Sequence, residues 1–212
     1  MKMRWGAGLL AAAMLFVAMP QAGAEEKISE DIYQWVQSTA RQNYYFNKQH
    51  IYFGKDEKEN INLNIITVPA LKTYDSIQIQ DVVSKRRWKG QSTAGYGDLA
   101  GCAEYLQLNI KDQTVDIMKH EDLDSDWGTL GTSTVKRTVK LAELSEKDVD
   151  AKFYHAIIKY AEVHAKEIAA RTEKEKGTKI TKEAQKQLEK GLGAPQDGKD
   201  ASKDTKNKKK RK

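Results

Sequence analysis

The stretch from Tyr105 to Lys119, YLQLNIKDQTVDIMK, has the clearest pattern in the chain. Its apolar residues alternate with polar ones on both sides of the dipeptide Asp112-Gln113. Because successive side chains of a strand point to opposite faces, this period of two predicts a β-hairpin with one apolar and one polar face. The apolar face needs a cover, which we expect the rest of the chain to supply.

Two amphipathic helices are predicted to supply this cover. Ser29 is a good N-cap, and apolar residues at helical spacing follow it, which predicts a helix over Glu30–Gln42. From Val149 to Ile168 apolar residues recur every three or four positions, which predicts the strongest helix of the chain. Ser145 begins a segment that resembles a capping box before it, and Gly177 is predicted to end it.

Further strands are predicted between the two helices. Aromatic residues favour a strand over 43–53, and alternation over 61–69 predicts its hairpin partner. The segment 75–88 begins with alternating isoleucines and is predicted as a strand with one charged face, and one more strand is predicted over 135–141. The sequence therefore predicts an α+β fold: a small antiparallel sheet flanked by an N-terminal and a C-terminal amphipathic helix, followed by a disordered basic tail.

Residues 1–24 have the features of a signal peptide. Lys2 and Arg4 precede a short apolar run, and Ala22-Gly23-Ala24 is typical of a cleavage site. The run is shorter than the roughly 20 residues that a membrane span needs. We therefore expect a mature chain that starts at Glu25 and is exported to the periplasm or the cell exterior; an uncleaved anchor is the alternative.

The C-terminal residues 194–212 form a separate segment with no apolar periodicity, and they are predicted to be disordered. The last residues of this segment are mostly cationic, which predicts weak binding to an anionic polymer or membrane surface. The alternative is a tail that only improves solubility. These cations are Lys206, Lys208, Lys209, Lys210, Arg211 and Lys212. The predicted domain covers 25–171, and a marginal helical extension covers 172–193, with a weak helix over 181–190.

The charge of the chain also belongs mostly to this tail. The chain has 36 basic and 30 acidic residues, but without the signal peptide and the tail 26 basic and 27 acidic residues remain. The predicted domain is therefore nearly neutral, which argues against a basic nucleic-acid-binding face and against a specific nucleic-acid partner.

An acidic loop and a basic cluster are the two candidate ligand sites. The acidic loop has alternating carboxylates, as cation ligands often do, at Asp122, Asp124 and Asp126. However, Ser133 occupies the position at which a calcium-binding loop needs a bidentate glutamate. A solvated acidic loop is therefore the competing interpretation. The basic cluster surrounds an aromatic residue and consists of Lys85, Arg86, Arg87, Trp88 and Lys89. An exposed Trp88 predicts binding of anionic glycans or nucleic acid, whereas an inward Trp88 predicts an edge strand whose cations repel other strands.

No combination of residues predicts a catalytic site, a resident metal or a cofactor. The four histidines, at positions 50, 120, 155 and 164, lack metal-ligand spacing. Cys102 is the only cysteine and cannot form an internal disulfide, so it is either a buried thiol or part of an intermolecular bridge.

The order of these features resembles the bacterial surface-adhesin E-like domain. The resemblance rests on Tyr44-Tyr45 leading into a strand at Ile51, and on Cys102 to Met118 followed by an aspartate-rich turn. It implies an envelope protein with an antiparallel sheet that binds host matrix proteins, and it carries over no binding residues.

Three functions are compatible with the sequence. The first is an exported bacterial envelope protein with a non-enzymatic binding or structural role, whose candidate partner is another protein. The second is an adaptor held by its tail to anionic envelope polymers, and the third is a small hydrolase that uses the acidic loop or His120. The ligand and the oligomeric state remain open at this point.

Overall fold

The computed structural model describes residues 28–192, so the predicted signal peptide and basic tail lie outside the described residues. The described part is an α+β fold with eight strands and four α-helices. The strands are β1 Tyr33–Ser38, β2 Gln42–Asn47, β3 Tyr52–Lys55, β4 Ile61–Tyr74, β5 Leu99–Asn109, β6 Thr114–Asp124, β7 Thr129–Ser133 and β8 Arg137–Lys140. The helices are α1 Ser76–Trp88, α2 Val149–Val163, α3 Ala165–Lys176 and α4 Lys182–Lys190.

One antiparallel sheet contains all eight strands, in the order β1-β2-β4-β5-β6-β7, with β3 also paired to β4 and β8 to β6. The predicted hairpin is confirmed as β5–β6, where Leu108 pairs with Val115 across the turn. The predicted second hairpin is confirmed in part: the segment 43–53, predicted as one strand, is divided between β2 and β3, and both strands pair with β4. The sheet is nevertheless larger than predicted, because β4 extends to 14 residues and pairs with β2, β3 and β5.

The predicted N-terminal helix over Glu30–Gln42 is wrong. The backbone makes a single turn, in which the Ser29 carbonyl accepts the N–H groups of Ile32 and Tyr33, and then continues as β1. The aromatic and β-branched residues of this segment also favour a strand, and pairing with β2 decides between the two patterns. A register shift between Trp35 and Gln37 places an extra residue in β1, which explains why the segment lacks clean alternation.

The predicted strand over 75–88 is also wrong, because this segment forms α1. Asp75 is its N-cap, and its carboxylate accepts the N–H of Gln78 at 2.7 Å. Three basic residues occupy the last turn, where the helix dipole favours positive charge. No residue of α1 is buried, so apolar periodicity gives little indication of this helix.

Helices α2, α3 and α4 cover one face of the sheet, which we call the inner face. Phe153, Ile157 and Ile168 pack there with strand residues such as Phe46 and Leu108 in one core. The predicted C-terminal helix is thus confirmed, except that it begins after Asp148, which accepts two backbone N–H groups, and is interrupted at His164. Gly177, at φ +66°, ends α3 in the left-handed conformation that glycine favours.

Helix α4 forms where the weak helix was predicted. Thr181 caps it, and Ala184 and Leu188 join the same core. Within residues 28–192 no helix has the length and apolar character needed to span a membrane.

Candidate functional site

Charged side chains meet at one end of the inner face. In the strand register Lys72 lies opposite Cys102, Cys102 lies opposite Asp122, and Glu104 lies opposite His120. Paired residues of neighbouring strands point to the same face, so β4, β5 and β6 bring all five side chains together. We call Lys72, Glu104, His120, Asp122 and the nearby Arg86 of α1 the buried charge network.

Glu104 is the centre of this network and is only 5 % exposed. Its Oε2 lies 2.9 Å from Lys72 Nζ, and its Oε1 lies 3.4 Å from His120 Nδ1. The other imidazole nitrogen, Nε2, lies 3.1 Å from Asp122 Oδ1. The imidazole of His120 therefore bridges two carboxylates, while Lys72 neutralises one of them from the side.

The protonation states follow from these contacts. Hydrogen bonds to Asp122 and Glu104 raise the pKa of His120 to about 9. Burial alone would raise the pKa of Glu104, but the hydrogen bond from His120 and the charge of Lys72 lower it to about 2. Burial would lower the pKa of Lys72, yet Glu104 and Asp150 hold it above its usual value. At neutral pH these groups are therefore all ionised and mutually paired.

Asp122 connects the network to α1 and to the turn before β5. Its Oδ2 accepts a 2.7 Å hydrogen bond from the Tyr96 hydroxyl and lies 3.5 Å from Arg86 Nη1. The Arg86 guanidinium also stacks over the Tyr96 ring, 4.1 Å from its centroid. Gly131 faces Asp122 on β7, and a Cβ atom there would collide with the Tyr96 hydroxyl. This arrangement fixes the last turn of α1 against the sheet.

Cys102, Glu104 and His120 place one potential metal-ligand atom each within 4.8 Å of one another. Burial raises the pKa of the Cys102 thiol to about 12, and the Tyr74 hydroxyl forms a hydrogen bond with it. A metal would have to displace protons from this thiol and from His120, as well as Lys72 from Glu104. The contacts therefore fit a closed set of ion pairs better than a metal site.

The three aspartates of the predicted acidic loop do not converge. Asp122 turns inward to the network, whereas Asp124 Oδ1 accepts the N–H groups of Asp126 at 3.1 Å and Gly128 at 2.6 Å. Asp124 thus closes the turn between β6 and β7, and Asp126 is exposed.

The predicted basic cluster separates into an inner and an outer part. Arg86 belongs to the network, while the ring of Trp88 is 94 % exposed, so the interpretation of an edge strand with an inward Trp88 is wrong. Lys85, Arg87 and Lys89 are exposed, and none of them has an acidic partner within residues 28–192. We call Lys85, Arg87, Trp88 and Lys89 the α1 tip.

Of the other candidates, Cys102 is a free and buried thiol, which decides between the two alternatives for this residue within the described chain. His164 stacks on Tyr160 with ring centroids 4.2 Å apart, and His50 and His155 are exposed. The tail cations from Lys206 to Lys212 lie outside the described residues.

Sequence reasoning missed a groove beside β1, because this segment was predicted as a helix. The groove lies between β1 and α2 and has a volume of about 320 Å³. Its lining is mainly apolar and includes Trp35, Val36, Phe46, Tyr160, Val163 and His164. Val163 is 72 % exposed, so apolar surface at the rim meets the solvent. The Trp35 side chain lies on the other face of the sheet, where the register pairs it with Tyr45 and its Nε1–H donates to the Ser38 hydroxyl at 3.2 Å.

An edge of the sheet borders this groove, since β1 is the first strand of the sheet and no other strand of residues 28–192 pairs with its outer side. The hydrogen bond from Lys48 N–H to the Ile32 carbonyl, 2.9 Å long, fixes the phase of the β1–β2 ladder. In that pattern Trp35 and Tyr45 form a non-hydrogen-bonded pair, so the N–H and C=O groups of Trp35 point away from β2. Within residues 28–192, the Trp35 carbonyl accordingly accepts only the side-chain amide of its neighbour Gln34, at 2.9 Å.

No family model matches the chain. A search of curated proteins finds no similar sequence.

Proposed function

We propose that this chain is an exported, non-enzymatic binding protein of the bacterial envelope, and that it binds an extended segment of a partner protein along β1. The observation that carries the proposal is the apolar groove directly beside an open strand edge. In this mode of recognition the main chain of the edge supplies hydrogen bonds, and pockets for alternate side chains supply specificity.

The occupant that fits this surface is a polypeptide. The outward N–H and C=O groups of Trp35 match another peptide backbone, and the Gln34 amide at that carbonyl is a local contact that an added strand replaces. A strand added there places every second side chain on the side of the groove, where the buried ring of Phe46 lies among the lining residues. The β-bulge at Val36 limits the regular edge to a short stretch, so specificity depends on the groove.

Two further observations support the rest of the proposal. The charged residues on the inner face are paired with one another, and none of Glu104, His120 and Cys102 has a pKa near neutrality, as a general base requires. The N-terminal sequence predicts export, and the resemblance described above predicts a protein partner; both remain predictions.

The test uses a displayed library of random linear peptides, selected on the immobilised full chain. We expect the selected sequences to alternate apolar and polar residues, and we expect synthetic copies to bind with dissociation constants between roughly 1 and 100 μM. Ala156→Glu and Val163→Glu each place a charge in the lining of the groove. Each is expected to weaken binding by tenfold or more, measured by fluorescence anisotropy.

Matched controls come from the same chain. Trp88→Ala removes an exposed tryptophan elsewhere, and Val135→Glu changes a valine that is 83 % exposed and outside the groove. Both controls are expected to bind the peptides as wild type does. If the groove variants bind as tightly as wild type, or if the controls weaken binding equally, the β1 edge is not the binding site and the proposal is wrong.

A further inference from the structure

The α1 tip combines an exposed indole ring with cations that have no partner in the described chain. Large aromatic side chains are usually packed in folded proteins, whereas Trp88 is 94 % exposed. Lys85, Arg87 and Lys89 surround it, and no carboxylate within residues 28–192 pairs with them. Both features indicate a surface that contacts something outside the chain.

The structure fixes the direction in which the tip faces. Arg86 points to Asp122 and Tyr96 on the sheet side of α1. At 100° per residue, Trp88 lies about 200° further round the helix and therefore faces the solvent. Ile77, eleven residues before Trp88, lies within about 20° of it and is 50 % exposed. One side of α1 thus presents an aliphatic and an aromatic side chain, with cations beside the aromatic one.

We propose that the α1 tip docks on a membrane surface that contains anionic phospholipids. The unpaired cations complement the headgroup phosphates, and tryptophan prefers the interface between headgroups and acyl chains, where its ring is buried and its N–H stays hydrated. The exposed Ile77 adds apolar surface on the same side. A nucleic acid matches the charge and the ring but leaves Ile77 without a role, so the lipid surface is the better fit.

This surface is separate from the groove beside β1. Trp35 and Val163 line the groove, and no residue of the α1 tip does. Failure of the peptide-binding proposal therefore leaves the lipid proposal intact, and the reverse also holds.

The first test measures partitioning of the chain from Glu25 to Lys212, which omits Trp5 and the apolar run of the predicted signal peptide. The vesicles contain phosphatidylcholine and phosphatidylglycerol at roughly 3:1, and binding is measured by co-sedimentation in about 100 mM salt. Each surface cation is worth roughly fivefold in partitioning, so Lys85→Gln with Lys89→Gln is expected to lower it about 25-fold. The control pair is Lys152→Gln with Lys166→Gln, two exposed lysines of α2 and α3. It changes the net charge equally and leaves the basic tail in place, and we expect a change of less than threefold.

The second test locates the indole. Brominated acyl chains quench a tryptophan that enters the interface, so wild-type fluorescence is expected to fall on vesicle binding. Trp88→Phe should remove most of this quenching, whereas Trp35→Phe should retain it. Partitioning that falls no further in the Lys85/Lys89 variant than in the Lys152/Lys166 control, or quenching that survives in Trp88→Phe, overturns the proposal. Binding to a single-stranded oligonucleotide but not to vesicles, with dependence on Trp88, overturns it in favour of a nucleic acid.

Discussion

Removing the charge of Glu104 tests the buried charge network directly. Glu104→Gln keeps the shape of the side chain but leaves Lys72, which is 7 % exposed, with only the more distant Asp150 at 3.6 Å. The contacts of Glu104 lower its pKa from 4.5 to about 2. Each pKa unit corresponds to about 1.4 kcal/mol, so the native state gains roughly 3 kcal/mol from this ionisation at neutral pH. Breaking a buried ion pair by removing one partner costs a similar amount.

The assay is urea denaturation followed by tryptophan fluorescence, for wild type and Glu104→Gln across a range of pH. We expect the variant to be about 3 kcal/mol less stable at pH 7, with a melting temperature lower by roughly 6–12 °C. Because the pKa of Glu104 is lowered on folding, its contribution is complete above pH 4.5 and is lost as pH falls through 2. More than half of the difference between the two proteins should therefore disappear by about pH 3.

Glu143→Gln is the control, because Glu143 forms an ion pair with Lys140 that is exposed on both sides. Such pairs contribute at most about 1 kcal/mol, so this variant should be close to wild type at every pH. The reasoning is refuted if Glu104→Gln costs less than about 1 kcal/mol at pH 7, or if its cost does not depend on pH between 5 and 3.

Three further predictions concern the same region. Because the pKa of His120 is raised to about 9, its stabilising contribution is complete below about pH 6.5 and is lost as pH rises through 9. Since the His120 side chain is 35 % exposed, we expect this loss to be only about 1 kcal/mol. Denaturation at pH 6 and pH 9.5 should show the loss in wild type but not in His120→Gln. Gly131→Ala should lower the free energy of unfolding by about 1–2 kcal/mol, because the added Cβ pushes Tyr96 away from Asp122. The control is Gly97→Ala, where a Cβ meets open space, and it should lower this free energy by less than about 1 kcal/mol. Equal losses in the two variants would contradict the proposed collision. The Cys102 thiol, buried and with its pKa raised to about 12, should react with a disulfide reagent at least about 100-fold more slowly in the native protein than in urea, and comparable rates would show that it is accessible.

The core hairpin and the covering helices were predictable because one interaction dominates in each. Alternation in β5–β6 and helical spacing in α2 both report burial of an apolar face, and the same packing forms in the structure. The end of α3 was predictable for a local reason, since Gly177 terminates the helix in the left-handed conformation that glycine favours.

The two errors have a common cause: long-range pairing overrides a local pattern. Residues 30–42 carry an N-cap signal and helical spacing, but β2 is available as a partner, and an added strand gains a ladder of hydrogen bonds. Residues 75–88 carry two alternating isoleucines, but β4 and β6 already lie on the two sides of β5, so α1 leaves the sheet after Asp75. The groove beside β1 follows from the first of these choices, and no local feature of the sequence indicates it.

The buried charge network could not be predicted from the sequence, because no sequence pattern indicates that its members lie close together. Asp122 and Arg86 were assigned to two unrelated candidate sites, and His120 and Cys102 to neither. Register alone brings the strand members together, because residues far apart in sequence, such as Lys72 and Glu104, lie on adjacent strands of the same face. A correct strand pairing would have predicted the network, and no motif spacing substitutes for it.

The network also helps to hold α1 in place, together with the half-buried Ile79, Val82 and Val83 on the same side of the helix as Arg86. The Arg41–Asp81 pair, 2.6 Å long, is about half exposed on both sides and contributes little. The contacts of Arg86 with Asp122 and the Tyr96 ring are more buried, and they act on the last turn, where rotation of the helix has the largest effect on Trp88. Because Asp122 is held in turn by His120 and Glu104, the orientation of the α1 tip depends on ion pairs on the inner face of the sheet. The buried charge network thus sets the orientation of Lys85, Arg87 and Lys89, the cations that have no acidic partner within residues 28–192.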